Sequence, residues 1–304
     1  MPNTRTAVIN DISIAFNDRP AEPDSHLVPL LFLHGAVQTR RIWNDQVAAL
    51  ASSRRLVSID LRGHGETALG TKRMSIEQLA ADALELLNKL RIDRVAVCGI
   101  SLGGMVALEM GERAPDRISS LILANTPTSL SSTGWLRELV DWMDPQDLLP
   151  SAFRLFGQER TARIGLAIAS RVMGPHWVGS TARRHFIQGF VSMSPDAIVA
   201  TYRAIVDARP VDPASIKCPI LLIKGTADAP SINAQMDELA EKTRHAHVES
   251  MTAGHVASLD DPEAFNRFLI EFLGKHEPTS AKTTDLVKNS CHGASSEFGQ
   301  ANPF

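Results

Sequence analysis

A ten-residue stretch, VAVCGISLGG at positions 95–104, constrains this chain more than any other. Apolar and small residues lead into Gly99-Ile100-Ser101-Leu102-Gly103, and Met105, Val106, Leu108 and Met110 continue at helical spacing. A G-x-S-x-G between a buried strand and a helix is a turn so tight that its serine takes a strained backbone and projects its hydroxyl beyond the sheet edge. Glycines two residues to either side let strand and helix pass closely. The five-residue pattern is common; the strand before it and the helix after it give it chemical meaning.

A serine hydroxyl is a poor nucleophile until a histidine takes its proton, and that histidine needs an acid to fix its tautomer and stabilise its cation. In an open α/β sheet such groups gather on loops beyond the carboxyl ends of strands, in the chain order serine, acid, histidine. CPILLIKG at 218–225 is an apolar run leading through Thr226 and Ala227 to Asp228, which puts Asp228 on the loop after a buried strand. HAHVESM at 245–251 alternates as an exposed edge strand does and leads into Thr252-Ala253-Gly254-His255. Gly254 is expected to free that loop so that His255 turns back over the sheet. Asp261-Pro262 then opens a helix as N-cap and first helical residue. PLLFL at 29–33 runs straight into His34-Gly35-Ala36. The backbone N–H groups of Ala36 and Leu102 are the expected oxyanion hole for a tetrahedral intermediate.

Elsewhere strands alternate with helices, which calls for a parallel sheet with helices on both faces. Residues 6–16 read as a hairpin turning at Asn10-Asp11, residues 42–51 as a helix, and residues 55–60 as a strand before Arg62-Gly63-His64-Gly65. Ser75 and Gln78 have the spacing of a reciprocal capping box, ahead of a helix striped by Ile76, Leu79, Ala83, Leu87 and Leu90. Strand character pauses after residues 119–125 and returns at Pro219. The gap, 127–212, holds three of the four tryptophans and reads as short helices broken at Pro145, Pro150, Gly157, Gly174-Pro175 and Ser194-Pro195. It is expected to be a cap forming an apolar, water-poor pocket over Ser101, with Trp135, Trp142, Phe153, Phe186 and Phe190 as candidate substrate contacts. The expected division is therefore a core of 1–126 and 213–274, a helical cap of 127–212 and a flexible polar tail of 275–304.

On LLFLHGAVQTRRIW, LVSIDLRGHGET, VAVCGISLGGMVALEMGERAPDRISSLILANT, PILLIKGTAD and MTAGHVASLDDPEAFNRFLIEFL, the chain resembles the α/β-hydrolase-fold superfamily from about residue 5 to 274. The SLGGMVAL run, the ANT after the sixth strand and the RGHG loop are most similar to its 3-oxoadipate enol-lactonase and cofactor-free haloperoxidase/esterase branch. The resemblance implies an α/β-hydrolase fold, a mostly parallel twisted sheet with helices on both faces and an inserted helical cap. By position it implies a Ser101–Asp228–His255 triad and no cofactor. Haloalkane dehalogenases and epoxide hydrolases carry Asp at the turn where this chain has Ser101. Where some relatives place the acid after the sixth strand, this chain has Asn125, which cannot ionise. Ala36 stands where many relatives carry a bulky residue, which leaves the shape of the acyl pocket open. The expected activity is that of a serine hydrolase cleaving a carboxylic ester or lactone of a mainly apolar small molecule. C–C bond hydrolysis, cofactor-free oxygenase or haloperoxidase chemistry and slow-turnover ligand reception are the alternatives on this scaffold. One of the nine cap arginines, if turned inward, would suit a carboxylate-bearing substrate such as an enol-lactone.

Composition closes off other classes. At 304 residues and 44% hydrophobic content the chain can bury one large core and still carry a cap. A net charge of -3 from 31 basic and 34 acidic residues leaves no footprint for nucleic acid or an anionic membrane. MPNTRTAVIN has no apolar leader, and no run approaches the length of a membrane span. Three scattered cysteines make neither a disulfide framework nor a zinc pattern, with Cys98 and Cys218 expected to be buried, so a cytoplasmic, reducing location is expected. No phosphate-binding glycine motif occurs. His245 and His247 are expected to be solvated, with no metal, and His34 and His64 to bond backbone. The oligomeric state is open, with a homodimer one option.

Overall fold

The computed structural model describes residues 4–23, 25–129 and 148–277. Five strands are almost wholly buried: β3 (Leu30–Leu33), β4 (Leu56–Ile59), β5 (Val95–Ile100), β6 (Ile118–Ala124) and β7 (Ile220–Gly225). A strand with no polar face needs a layer on each side, which parallel crossovers supply. These five pair in parallel, with the half-exposed β8 (Ala246–Met251) at one edge. At the other edge β1 (Arg5–Ile9) and β2 (Ile12–Arg19) form an antiparallel hairpin, and β2 runs antiparallel to β4. The hairpin turns at Asn10, whose φ of 51° is a left-handed conformation that asparagine tolerates.

The order β1-β2-β4-β3-β5-β6-β7-β8 sets β3 between β4 and β5. The chain therefore reverses its direction of sheet growth at β3, which makes the carboxyl ends of β3 and β5 the switch point at which open α/β sheets place their ligands. Alternate strand residues feed two cores. Leu31, Leu33, Val57 and Val97 pack with α2 (Ile76–Lys89), α3 (Leu102–Arg113) and α8 (Pro230–Lys242). Leu30, Phe32, Leu56 and Cys98 pack with α1 (Asn44–Leu50) and α10 (Pro262–His276).

Local readings shift where side chains have other partners. The helix expected over 42–51 is a 3-10 turn, Arg40–Trp43, capped by Thr39, followed by α1. Ser75 accepts from the backbone N–H of Gln78, but the Gln78 side chain donates to Asp82 at 2.8 Å, so the capping box is not reciprocal. Cys218 is buried as expected, two residues ahead of β7. Between β6 and β7 lie α4 (Leu148–Phe156), α5 (Gln158–Met173), α6 (Ser180–Ser192) and α7 (Pro195–Val206). Pro150 does not break this run but sits in the first turn of α4, where its missing N–H has no intrahelical acceptor to lose. Pro145, Trp135 and Trp142 lie outside the described residues. After β8 come α9 (Ala257–Asp260) and α10, which Asp261 caps by accepting from Ala264 N at 3.0 Å. α10 continues two residues past Gly274, and Glu277 beyond it pairs with Arg54. No helix among the described residues is long and apolar enough to cross a membrane.

A buried ion pair locks the loop after β4. Asp60 accepts from Arg40 N at 2.7 Å and from Glu66 N at 2.9 Å, and pairs with the Arg40 guanidinium. The two side chains are 0% and 2% exposed, so neither charge has water to fall back on. Without the Asp60 charge, Arg40 keeps only the half-exposed Glu66, 2.8 Å away, as its ionic partner. Asp60→Asn is expected to cost about 2 kcal/mol of stability, less than the loss of a pair whose survivor has no other partner. Urea unfolding at neutral pH checks this as a lower midpoint at unchanged slope.

Candidate active site

Ser101 sits between β5 and α3 at φ 52°, ψ -117°, a backbone that non-glycine residues rarely hold. It is held there by its N–H on Ala124 O at 3.0 Å and by its own carbonyl, which accepts from Gly104 and Met105 N–H. A Cβ on Gly99 would collide with the Gly103 carbonyl, and one on Gly103 with the carbonyls of Leu33 and His34. Glycine at both places lets α3 fold back over β5 and abut the end of β3.

The three residues expected on separate loops come together. His255 Nε2 lies 2.9 Å from Ser101 Oγ, and His255 Nδ1 lies 3.0 Å from both carboxylate oxygens of Asp228. Asp228 also accepts from Ala229 N at 2.7 Å, from the Asn125 amide at 2.8 Å and from the Trp177 indole at 3.1 Å. Burial pushes its carboxyl up, but His255, Asn125 and the Ala229 N–H outweigh burial and hold it below the usual carboxylate range. Exposure grades along the chain of bonds: the Asp228 side chain is 0% exposed and that of His255 14%. The acid is sealed in, and the hydroxyl end faces outward.

The loop after β3 carries Ala36. Leu102, the first residue of α3, has an N–H with no intrahelical acceptor. No hydrogen bond within the described residues engages the Ala36 N–H. Gln38 stiffens this loop by accepting from Gly35 N at 2.9 Å, and the buried Val37 is held at φ 51°. A β-branched residue in that region is a strained one. The loop's rigidity was not evident in the sequence, because neither Val nor Gln signals a turn. Phe153, Phe186 and Phe190 meet near it: Phe190 lies edge-on to Phe153 at 5.7 Å and stacks with Phe186 at 6.2 Å, in a cluster shared with Val37.

Two residues at the site carry roles that sequence reading missed. Asn125, noted there only as unable to ionise, donates to the acid. Trp177, one of the cap aromatics, bonds the acid and stacks its ring on His255 with centroids 5.3 Å apart. Of the nine arginines in 127–212, Arg137 lies outside the described residues, Arg183 is half-buried and the other seven are exposed. Arg163 pairs with Glu159, Arg183 bonds Val178 O and Ser170, and Arg209 pairs with Glu109 and Glu112. His247 is exposed and packs beside Phe272 and His276.

An eight-stranded, mostly parallel sheet flanked by helices, with a strained Ser turn after β5, defines an α/β-hydrolase fold. The chain belongs to the alpha/beta hydrolase family, whose sequence model matches residues 30–268. It is similar to 3-oxoadipate enol-lactonase 2 of Acinetobacter baylyi, 26% identical over 266 residues covering 82% of this chain and 86% of that protein. Among solved structures it is similar to the enol-lactonase from Burkholderia xenovorans LB400, with TM-score 0.74, 26% identity, and 89% and 100% of the two chains covered. A hydrolase from Pseudomonas aeruginosa shares the fold at TM-score 0.75 and 23% identity, over 90% of this chain and 98% of that one.

His34 and His64 flank the site with their rings 5.0 Å apart. His34 Nδ1–H donates to Gly35 O at 2.8 Å and its Nε2 accepts from Leu61 N at 3.0 Å; His64 Nδ1–H donates to Arg62 O at 2.9 Å. Burial, aided by Arg40, pushes His34 down to about 4, and burial with the neighbouring His34 pushes His64 down to about 3. Both rings bind protons more weakly folded than unfolded, where the ordinary value is 6.5. The unfolded chain therefore takes up more protons as the pH falls below that value, and stability declines from there toward about pH 4. The expected slope is on the order of 1.4 kcal/mol per pH unit for each histidine. Urea unfolding at pH 7, 6 and 5 reads this directly; a flat stability over that range contradicts it.

Proposed function

We propose that this protein is a serine hydrolase that cleaves a carboxylic ester or lactone of a mainly apolar small molecule through an acyl-enzyme intermediate. The observation that carries the reading is the unbroken bonded chain Ser101 Oγ–His255 Nε2, His255 Nδ1–Asp228, with the serine on a strained turn after β5. Asp228, charged and buried, keeps the imidazole proton on Nδ1, which leaves the Nε2 lone pair facing the serine hydroxyl. His255 Nε2 takes the hydroxyl proton as Ser101 Oγ bonds the acyl carbon, and the carbonyl electrons move to oxygen, where the N–H groups of Ala36 and Leu102 receive the negative charge. Collapse of the tetrahedral intermediate expels the alcohol oxygen, protonated by His255. In a lactone that hydroxyl stays tethered to the acyl group. Water, deprotonated by the same Nε2, then releases the acid and restores Ser101.

In this reading the core, residues 1–126 and 213–274, carries the chemistry and the 127–212 insertion shapes the substrate pocket. Phe153, Phe186, Phe190 and Val37 supply an apolar wall beside the oxyanion loop, which favours an apolar acyl or alcohol part. The enol-lactonase relatives support a lactone as one substrate class.

Ser101→Ala is expected to lower hydrolysis of a 4-nitrophenyl ester by about a thousandfold or more and to abolish fluorophosphonate labelling, with little change in thermal midpoint. A variant keeping more than about a tenth of the wild-type rate rules Ser101 out as nucleophile. Asp228→Asn is expected to cost on the order of a thousandfold by leaving His255 in the wrong tautomer. His255→Ala should match Ser101→Ala, and the double variant should be no worse than either single one, because the pair acts as a unit. Additive losses in the double variant contradict the assignment.

A further inference from the structure

We propose that Trp177 is a positioning residue that clamps the acid–base pair from the cap, so that seating of the loop between α5 and α6 and correct orientation of His255 are one structural event. The inference rests on the reading of Ser101, His255 and Asp228 given above. Four contacts converge on it. The Trp177 indole N–H donates to Asp228 Oδ1 at 3.1 Å. Its ring lies over the His255 imidazole at 5.3 Å and 29°. Its backbone carbonyl accepts from His255 N–H at 2.6 Å. A Cβ on Gly254 would collide with the carbonyls of Trp177 and His176, so glycine there serves the approach of the cap loop rather than a left-handed turn. A residue that merely fills space needs its ring alone; Trp177 uses ring, indole N–H and main chain, each on a different group of the site.

A second tie joins the same two loops. Asp260 in α9 accepts from Gly254 N–H at 2.8 Å, and its carboxylate lies against Gly179 in the cap loop. Burial pushes the Asp260 carboxyl up, and the Gly254 N–H offsets part of that. Asp228 on the β7 loop and Ser101 at the turn face the His255 ring, Asp260 reaches its loop through Gly254, and His176 adjoins Trp177 in the chain.

The indole does two things of opposite sign. Its N–H takes up part of the Asp228 charge and so weakens the carboxylate's hold on a protonated His255. Its π face, stacked on the ring, favours that same cation as it forms during proton transfer. Trp177→Phe keeps a π face and removes the N–H; Trp177→Leu removes both. In Trp177→Phe the acidic limb of the pH–rate profile is expected to move up by about half a pH unit, from the loss of one hydrogen bond to a charged group. In Trp177→Leu the limb should fall below that of Trp177→Phe. With 4-nitrophenyl acetate as probe, kcat should drop by about tenfold in Trp177→Phe and further in Trp177→Leu, while KM stays within about threefold.

The experiment measures pH profiles, kcat, KM and thermal midpoints for wild type, both Trp177 variants and Ser101→Ala. A displaced limb with a kcat-selective loss supports the clamp. An unmoved limb in Trp177→Phe, whether turnover is intact or falls only with the folded fraction, overturns the clamp while an inactive Ser101→Ala leaves the hydrolase reading standing. Turnover retained by Ser101→Ala overturns the reading beneath.

Discussion

The close approach of α3 to the ends of β5 and β3 is the constraint on which the site depends. Side chains at positions 99 and 103 would meet backbone carbonyls, so the crossing exists only with glycine at both, and the crossing is what forces Ser101 into its left-handed backbone. The same approach sets Leu102, with its free helix-end N–H, beside the loop that carries Ala36. One steric condition thus fixes the direction of a hydroxyl and supplies a positive dipole end next to it. The strain at Ser101 and Val37 persists because the sheet, α3 and Gln38 over-determine the local backbone.

A buried carboxylate is costly unless its lone pairs are occupied. Asp228 meets that condition with donors from four directions: its own following backbone N–H, Asn125 at the end of β6, His255 and the Trp177 indole. Asn125 is itself at φ 45° and keeps one amide oxygen without a partner among the described residues. A carboxyl in its place would put a second negative charge against Asp228; an amide adds a donor and no charge. The Asp228 end of the bonded chain is sealed and favours the charged carboxylate, while the Ser101 end is only half-buried.

The segment between β6 and β7 touches this arrangement at two places. Its phenylalanines pack on the strained Val37 next to Ala36, and its 174–179 loop reaches the acid and the base. The helices between β6 and β7 therefore pack against the loop of Ala36 and, through Trp177, against Asp228 and His255.

Much of this was legible in the sequence because it is local. Uninterrupted apolar runs marked the buried strands, Asp261-Pro262 marked the start of α10, and the Gly99–Gly103 spacing marked the turn at Ser101. Asp228 and His255 were readable as residues on loops after late strands, since strand ends in a parallel sheet all open on one edge. Helix boundaries around Trp43, the half-used capping box at Ser75 and the place of Pro150 were not, because each turns on which partner a side chain finds. The interactions of Trp177 and Asn125 with Asp228 span 51 and 103 residues of chain. Periodicity reports which face of an element is apolar but not which distant loop will lie against it. The sequence by itself determined the sheet, the turn and the types of reactive group. Tertiary packing decided which donors close around the buried acid, because that choice depends on distances that exist only after the two cores and the cap have been assembled.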